Sequence, residues 1–209
     1  MKTPTLTSLI AALTICIAPM TAAEKIVPGD NVQEQIQEAL ILAEEGDVIE
    51  LAAGIFHIKS TLSLDVDNVT LQGAGIDKTI LSFAKQDAGS EGLTVTSNGV
   101  ILKDFAVEDT VGDAIKTKGC KGISFINVRT EWTGGPKSTN GAYGLYPVAC
   151  ENVLIDGCVA IGASDAGIYV GQSRNIIVRN SIAQYNVAGI EIENCYNADV
   201  YNNLASHNA

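Results

Sequence analysis

Residues 153–190 read VLIDGCVAIGASDAGIYVGQSRNIIVRNSIAQYNVAGI, and one pattern occurs in them twice. VLIDG begins at Val153 and IIVRN at Ile176, 23 residues on, while Ile168 of AGIYV is followed 22 residues later by Ile190 of AGIEI. Working outward, the first pattern returns as VTLQG at Val69, VILKD at Val100, ISFIN at Ile123 and ADVYN at Ala198. From Val69 to Ala198 its spacings are 31, 23, 30, 23 and 22. A second column, through Ile115, Leu145, Ile168 and Ile190, steps by 30, 23 and 22. Two columns chosen separately agree step for step, so a single structural unit is being repeated.

Most of these segments are apolar at their first and third positions, the alternation of a strand with one buried face. Val69/Leu71, Val100/Leu102, Ile123/Phe125, Val153/Ile155 and Ile176/Val178 are the expected inward pairs. Each segment ends on Gly73, Asp104, Asn127, Gly157, Asn180 or Asn202, residue types that tolerate a left-handed or sharply bent backbone. A second short strand follows, such as Ser181–Ala183, and then the Ala-Gly-Ile strand. Repeats of about 22 residues with three short strands fit an all-β fold, a parallel β-helix stacked at roughly 4.8 Å per coil. A leucine-rich repeat would show a Leu-x-x-Leu-x-Leu frame that is missing here. Hairpin sheets would not keep this register, and propeller blades need roughly 40 residues or more.

Cys120, Cys150, Ser173 and Cys195 repeat the steps of 30, 23 and 22. An internal ladder of small side chains, one per coil, is the expectation. A Cys120–Cys150 disulfide is the alternative, since neighbouring coils lie within bridging reach. Cys195 is two coils from Cys150, and Cys158 lies elsewhere on the coil.

Before the repeats, Val32, Ile36, Leu40 and Ala43 form one apolar stripe of an amphipathic helix. Asn31 and Glu34 would cap its start and Gly46 would end it. Laid over the first coil, the helix would cover an open sheet edge that otherwise invites aggregation. Strands at 48–51, 55–58 and 62–64 would form that coil, so residues 24–67 are expected to be the cap helix and first coil, and 68–209 the repeats. From Asn202 the chain copies the coil that begins at Asn180 and reaches Ala209 before the next Gly-Ile strand. The last coil is therefore expected to be incomplete, through truncation or because another chain covers it.

Residues 1–23 read as a cleavable signal peptide. Lys2 precedes an apolar run from Leu6 to Ala18, then Pro19 and the small residues Thr21-Ala22-Ala23. The run is shorter than the roughly 20 residues of a membrane span, and Ile15 before Cys16 disfavours lipidation. A periplasmic or secreted location follows. A formal net charge of −11 without a basic cluster argues against nucleic acid as a partner and disfavours unaided binding of polyanions. With only two histidines, His57 and His207, and no Cys-x-x-Cys, a His-rich or zinc-finger-type metal site is not available.

These residues resemble the right-handed parallel β-helix repeat proteins, the pectate-lyase-like group. It includes pectate lyases, alginate lyases, mannuronan C5-epimerases and uncharacterised exported bacterial members, to which the likeness is closest. The resemblance covers nearly all of 24–209. It is carried by Gly46-Asp47-Val48-Ile49, by residues 69–75 (VTLQGAG), and by the Asn-Ile-Ile-Val-Arg-Asn and Ala-Gly-Ile-Glu-Ile repeats. It implies the fold, whereas activity varies widely within one fold. The epimerases' Asp-Pro-His-Asp string does not occur. Gly112-Asp113-Ala114-Ile115 matches the first part of the pectate lyase pattern, but Ile126-Asn127 stands where an Asp-His pair is expected, and the next coil offers Ala142-Tyr143-Gly144-Leu145. Calcium enters through this resemblance only, and such a site would be short of ligands.

If Ile115, Leu145, Ile168 and Ile190 face inward, Lys116, Tyr146, Tyr169 and Glu191 form one outward ladder. Tyrosine faces stack on the apolar side of a sugar while their hydroxyls hydrogen-bond. Cross-strand packing is the plainer account of such a ladder. Ala114, Gly144, Gly167 and Gly189, just before the inward column, would open a shallow trough beside it. The 131–141 loop holds the only tryptophan, Trp132, which could wall the trough or simply shield the loop. Asp109, Asp113 and Asp165 lie near the same strand starts. Lys116 as a lyase base would need a depressed pKa and a nearby acid; Asp113 and Asp165 are the other catalytic candidates. Asp156 and Arg179 are expected to form a surface ion pair, and the Asn127/Asn180/Asn202 column to be structural.

Three functions remain open. The first is polysaccharide binding without catalysis. The second is a lyase or C5-epimerase acting on uronic-acid polymers. The third is an envelope scaffold for another exported protein.

Overall fold

In the computed structural model, residues 25–209 are described; the leader expected over 1–23, and Cys16 with it, lie outside them. Helix α1 (Val32–Leu42) comes first. The first coil follows as β1 (Val48–Glu50), β2 (Gly54–His57) and β3 (Ser60–Leu64), the second as β4 (Thr70–Gln72), β5 (Thr79–Ser82) and β6 (Ala88–Val95). In the third and fourth coils the first two strands run together, as β7 (Ile101–Glu108) then β8 (Ile115–Lys118), and β9 (Lys121–Glu131) then β10 (Leu145–Val148). The fifth is β11 (Glu151–Asp156), β12 (Val159–Ile161) and β13 (Ala166–Gly171); the sixth is β14 (Arg174–Arg179), β15 (Ile182–Gln184) and β16 (Ala188–Glu193). β17 (Tyr196–Tyr201) and β18 (Leu204–Ser206) begin a seventh.

Every strand pairs in parallel with its equivalent on the next coil, along β1-β4-β7-β9-β11-β14-β17 and along β3-β6-β8-β10-β13-β16. The register is the one the two columns require. Ile123 faces Val153 and Val153 faces Ile176, while Leu145 lies between Ile115 and Ile168. The inward pairs from Val69/Leu71 to Ile176/Val178 are all buried, so apolar side chains stack coil upon coil in one continuous core. The fold is a parallel β-helix. No helix among the described residues is long and apolar enough to cross a membrane.

The turn column behaves as its residue types demand. Asp104, Asn127, Gly157, Asn180 and Asn202 take φ between 50 and 67°, a region costly to most L-residues but open to Gly, Asn and Asp. The side chains also bond from coil to coil: Asn180 Nδ2 donates to Asp156 Oδ1 at 2.8 Å and Asn127 Nδ2 to Asp104 Oδ1 at 3.2 Å. A second ladder, Asn152, Asn175 and Asn197, links amide to amide at 3.1 and 3.2 Å. Gly73 is glycine for a different reason: a Cβ there would sit 2.3 Å from the carbonyl oxygen of Asp104. Arg179 Nη2 lies 2.7 Å from Asp156 Oδ2, the surface pair expected of those positions.

α1 buries Val32, Ile36 and Leu40, with Ala43 packed behind them. Its ends differ from expectation. Asn31 makes no side-chain cap. The helix also stops at Leu42, ahead of Gly46, because the chain turns out at Ala43 and Asp47 Oδ2 accepts the Glu44 N–H at 2.8 Å. Gly46 serves that turn, at φ 95°. Gln33 and Gln37 secure the helix to β3: Gln33 Nε2 donates to Ser60 Oγ at 2.6 Å and Gln37 Nε2 to Ser63 O at 2.9 Å. The four cysteines among the described residues are unbridged thiols, and Cys120, Cys150 and Cys158 are buried.

Candidate functional site

β8, β10, β13 and β16 lie side by side, so register alone sets the outward ladder. Lys116 pairs with Tyr146 and Tyr169 with Glu191, and the Tyr146 and Tyr169 rings meet edge-on at 5.3 Å. Tyr143 joins them, its ring 4.5 Å from Tyr146 and 4.7 Å from Tyr169. Three tyrosines thus form one aromatic cluster, tilted or edge-on as ring quadrupoles prefer. The sequence reading had not assigned Tyr143 to the site. A signal was available, since Tyr143 stands 30 residues after Asp113, the step that separates Leu145 from Ile115.

One end of the cluster is ionic. Lys116 Nζ lies 3.3 Å from Asp113 Oδ2, 3.6 Å from Glu91 Oε1 and 5.0 Å from the centre of the Tyr146 ring. Asp113 Oδ1 accepts the Tyr143 N–H at 3.3 Å. At the other end, the Tyr169 hydroxyl donates to Glu193, and Asp165 and Glu191 complete the rim. Glu91 and Glu193 also escaped the sequence reading.

Two of the assigned residues are placed otherwise than expected. Trp132 is only 5% exposed, and its indole N–H donates to the Thr110 carbonyl at 2.8 Å. The ring lies inward beneath Gly141, where a Cβ would come within 2.7 Å of it. A large apolar ring with its one donor satisfied gains by burial, so Trp132 props the loop and offers no stacking platform. Tyr169 is 7% exposed, because its ring lies along its own strand over Gly171. It supports the cluster from below and leaves Tyr143 and Tyr146 as the half-exposed faces. The small residues beside the ladder do not open a trough either. A Cβ on Gly144 would meet Gly167 O at 2.4 Å and Thr130 Oγ1 at 2.5 Å, and one on Gly167 would meet Asn186 Nδ2 at 2.6 Å. They let strands approach closely at an inner corner of the coil.

The electrostatics bear on chemistry. Burial pushes the Asp113 carboxyl above the usual carboxylate range, against the pull of Lys116. Burial is likewise the largest influence on Lys116 and would lower it, yet Asp113 and Glu91 together leave it above the ordinary lysine value. Burial, reinforced by Asp165, pushes the Tyr143 hydroxyl up to about 12, and burial with Asp165 and Glu193 raises Glu191. Lys116 is therefore held as a cation, the opposite of what a base abstracting a sugar proton requires. Because the folded-state pKa of Asp113 is raised, its contribution to stability is fullest below the ordinary carboxylate range and declines as pH rises through the raised value. Lys116→Met should push the Asp113 titration midpoint higher still, read by NMR of the Asp113 carboxyl. An unchanged or lower midpoint would mean that the pair does not exist.

No three His, Cys, Asp or Glu side chains among the described residues converge as metal ligands. Asp113, the acid the calcium comparison would use, is already engaged by Lys116 and the Tyr143 N–H. These donors do not fit a calcium site of the pectate lyase kind. The cluster offers stacking faces, hydroxyls, one cation and several carboxylates.

Stacked parallel coils with a side-chain ladder on one face define a β-solenoid, and the model of the right-handed β-helix region matches residues 53–209. The chain belongs to that right-handed β-helix family. Among solved structures, it is similar to the A-module of the Azotobacter vinelandii mannuronan C-5 epimerase AlgE4, at 19% identity over 87% of this chain and 55% of that one, with a TM-score of 0.62. An alginate lyase from a Paenibacillus species matches at 16% identity over 90% of this chain and 78% of the other, TM-score 0.53. A rhamnogalacturonan lyase matches at 12% over 80% and 62%, TM-score 0.51. At these identities the likeness is one of fold. The chain spans about half the length of the epimerase modules it matches. No curated protein sequence matches it significantly. Pro147, the one proline in a strand among the described residues, is flanked by Tyr146 and Val148, where an Asp-Pro-His string would need an acid and a histidine.

Proposed function

We propose that this is an exported polysaccharide-binding β-helix protein, periplasmic or secreted, which grips a sugar chain with Tyr143 and Tyr146 on the face of β8, β10, β13 and β16. The observation that carries the reading is the three-ring cluster, with two half-exposed rings supported by a third and flanked by hydrogen-bonding carboxylates. Similarity in fold to proteins named as epimerases and lyases of polysaccharides supports the same class of ligand. Raised pKa values at Lys116 and Tyr143 favour binding over proton abstraction.

The test is titration of the protein with a panel of neutral and acidic polysaccharides, with chain length and absorbance of unsaturated ends followed in parallel. Saturable binding with neither chain shortening nor unsaturated product is the expected result. No binding to any member would sink the reading. Appearance of unsaturated ends, or solvent-proton exchange at C5, would replace it with the second reading, a uronan lyase or epimerase. That alternative is favoured by Asp113 standing beside Lys116 in Gly112–Ile115.

A further inference from the structure

Cys120 and Cys150 stand opposite each other on neighbouring coils. On one side of them Lys118 pairs with Val148, and on the other Lys121 pairs with Glu151. The turn between is tied as closely as the strands, Gly119 N donating to Val148 O at 3.1 Å and Glu151 N to Cys120 O at 2.8 Å. Two residues fixed in this way are separated by the parallel-strand spacing of about 4.8 Å, inside the roughly 4.4–6.8 Å between Cα atoms that a disulfide spans. Both side chains point into the coil. Each sulfur also touches a backbone carbonyl, Cys120 Sγ at 3.4 Å from Val95 O and Cys150 Sγ at 3.6 Å from Thr117 O. The other two thiols among the described residues lack such a neighbour. Ser173 occupies the ladder position between Cys150 and Cys195, bonding to the N–H of Cys150 through Oγ at 2.9 Å and to the sulfur of Cys195 through its own N–H at 3.3 Å. Cys158 is on another part of the coil, with its sulfur 3.5 Å from Phe125 O.

We infer that Cys120 and Cys150 are an oxidisable pair, a cystine site that staples the coil carrying Lys116 to the coil carrying Tyr143 and Tyr146. The oxidant is a disulfide of the exchange class, such as oxidised glutathione or an oxidoreductase disulfide. Cys150 loses its proton to solvent, and its thiolate attacks one sulfur of that disulfide and expels a thiolate. The Cys120 thiol, deprotonated in turn, attacks the sulfur of Cys150 and expels the second. Two protein thiols become one disulfide, and one oxidant disulfide becomes two thiols. The order follows from the surroundings of the two thiols: the neighbouring Cys120 thiol holds Cys150 below the ordinary range, and the Thr117 hydroxyl, 3.7 Å from the Cys150 sulfur, adds to the effect. Both sulfurs are buried in the folded chain, so the exchange runs as the chain folds, before the coils close over the pair. Disulfides of this kind persist in oxidising compartments.

The protein is refolded from denaturant in a glutathione redox buffer, alkylated after denaturation without reductant, and digested. The expected product is a peptide joining Cys120 to Cys150, with Cys158 and Cys195 alkylated. Its melting temperature should exceed that of the reduced protein by about 5–10 °C, since a closed loop of this length restricts the unfolded chain. The increment should vanish in Cys150→Ser. Refolded protein in which Cys120 and Cys150 are both alkylated would overturn the inference. So would a link joining any other pair. Neither result depends on polysaccharide binding.

Discussion

Phe125→Ala should lower the stability of the chain by about 3–5 kcal/mol, a melting temperature lower by roughly 6–20 °C for a domain of this size. Phe125 is fully buried in β9, with Leu102 on the coil before and Ile155 on the coil after as its register partners. Backbone hydrogen bonds fix the spacing of those coils, so neighbours cannot close over the missing ring. The cost therefore includes the cavity as well as the lost burial. Phe125→Leu keeps most of the volume and should cost less than about 1.5 kcal/mol. Ile177, on the same sheet but facing out at 36% exposure, is the control: Ile177→Ala should shift stability by roughly 0.5 kcal/mol. Thermal and denaturant melts followed by circular dichroism separate the three. If the Phe125→Ala and Ile177→Ala proteins melt together, the inward and outward faces have been misassigned.

That assignment was legible in the sequence because a solenoid imposes two periods at once. Alternation within a strand says which side chains face in, and the coil step says which of them stack. Ile123, Val153 and Ile176 satisfied both and lie in register. Asn127, Asn180 and Asn202 were legible for a backbone reason, since the left-handed turn selects few residue types. The helix boundary was less so. Gly46 read as a C-cap, but Asp47 captures the Glu44 N–H and the chain leaves the helix earlier. At the site, periodicity set the face of Tyr146 and Tyr169 and could not set the tilt of their rings. Tyr169 lies down over Gly171 because that position has no side chain, a relation between two outward neighbours that no period reports. Trp132 follows the end of a strand, where neither period applies, and its fate was decided by the Thr110 carbonyl available to its N–H. Tyr143 lies outside β10 yet keeps the 30-residue step from Asp113, so the coil step reached into the loop further than the strand pattern did.

Replacing Tyr143 and Tyr146 together by alanine should weaken polysaccharide binding about 30-fold or more, with the fold intact. An aromatic ring at the centre of a binding face is commonly worth about 2 kcal/mol when truncated, and roughly 1.4 kcal/mol is a factor of ten in affinity. The two rings are 4.5 Å apart and share a neighbour, so their effects should not add. Each single variant disturbs the ring that the other retains, and the double variant should fall short of the product of the two losses. Tyr→Phe at both positions separates the contributions: stacking survives, the hydroxyl bonds go, and the loss should be about 10-fold or less. Tyr169 is left in place because its ring is buried and its hydroxyl is committed to Glu193, so its removal would disturb the scaffold as well as the face. Isothermal titration of all variants against the polysaccharide bound most tightly by the parent, with circular dichroism as the folding control, gives the comparison. A double alanine variant that is folded and binds as tightly as the parent would remove the tyrosine face from the binding site.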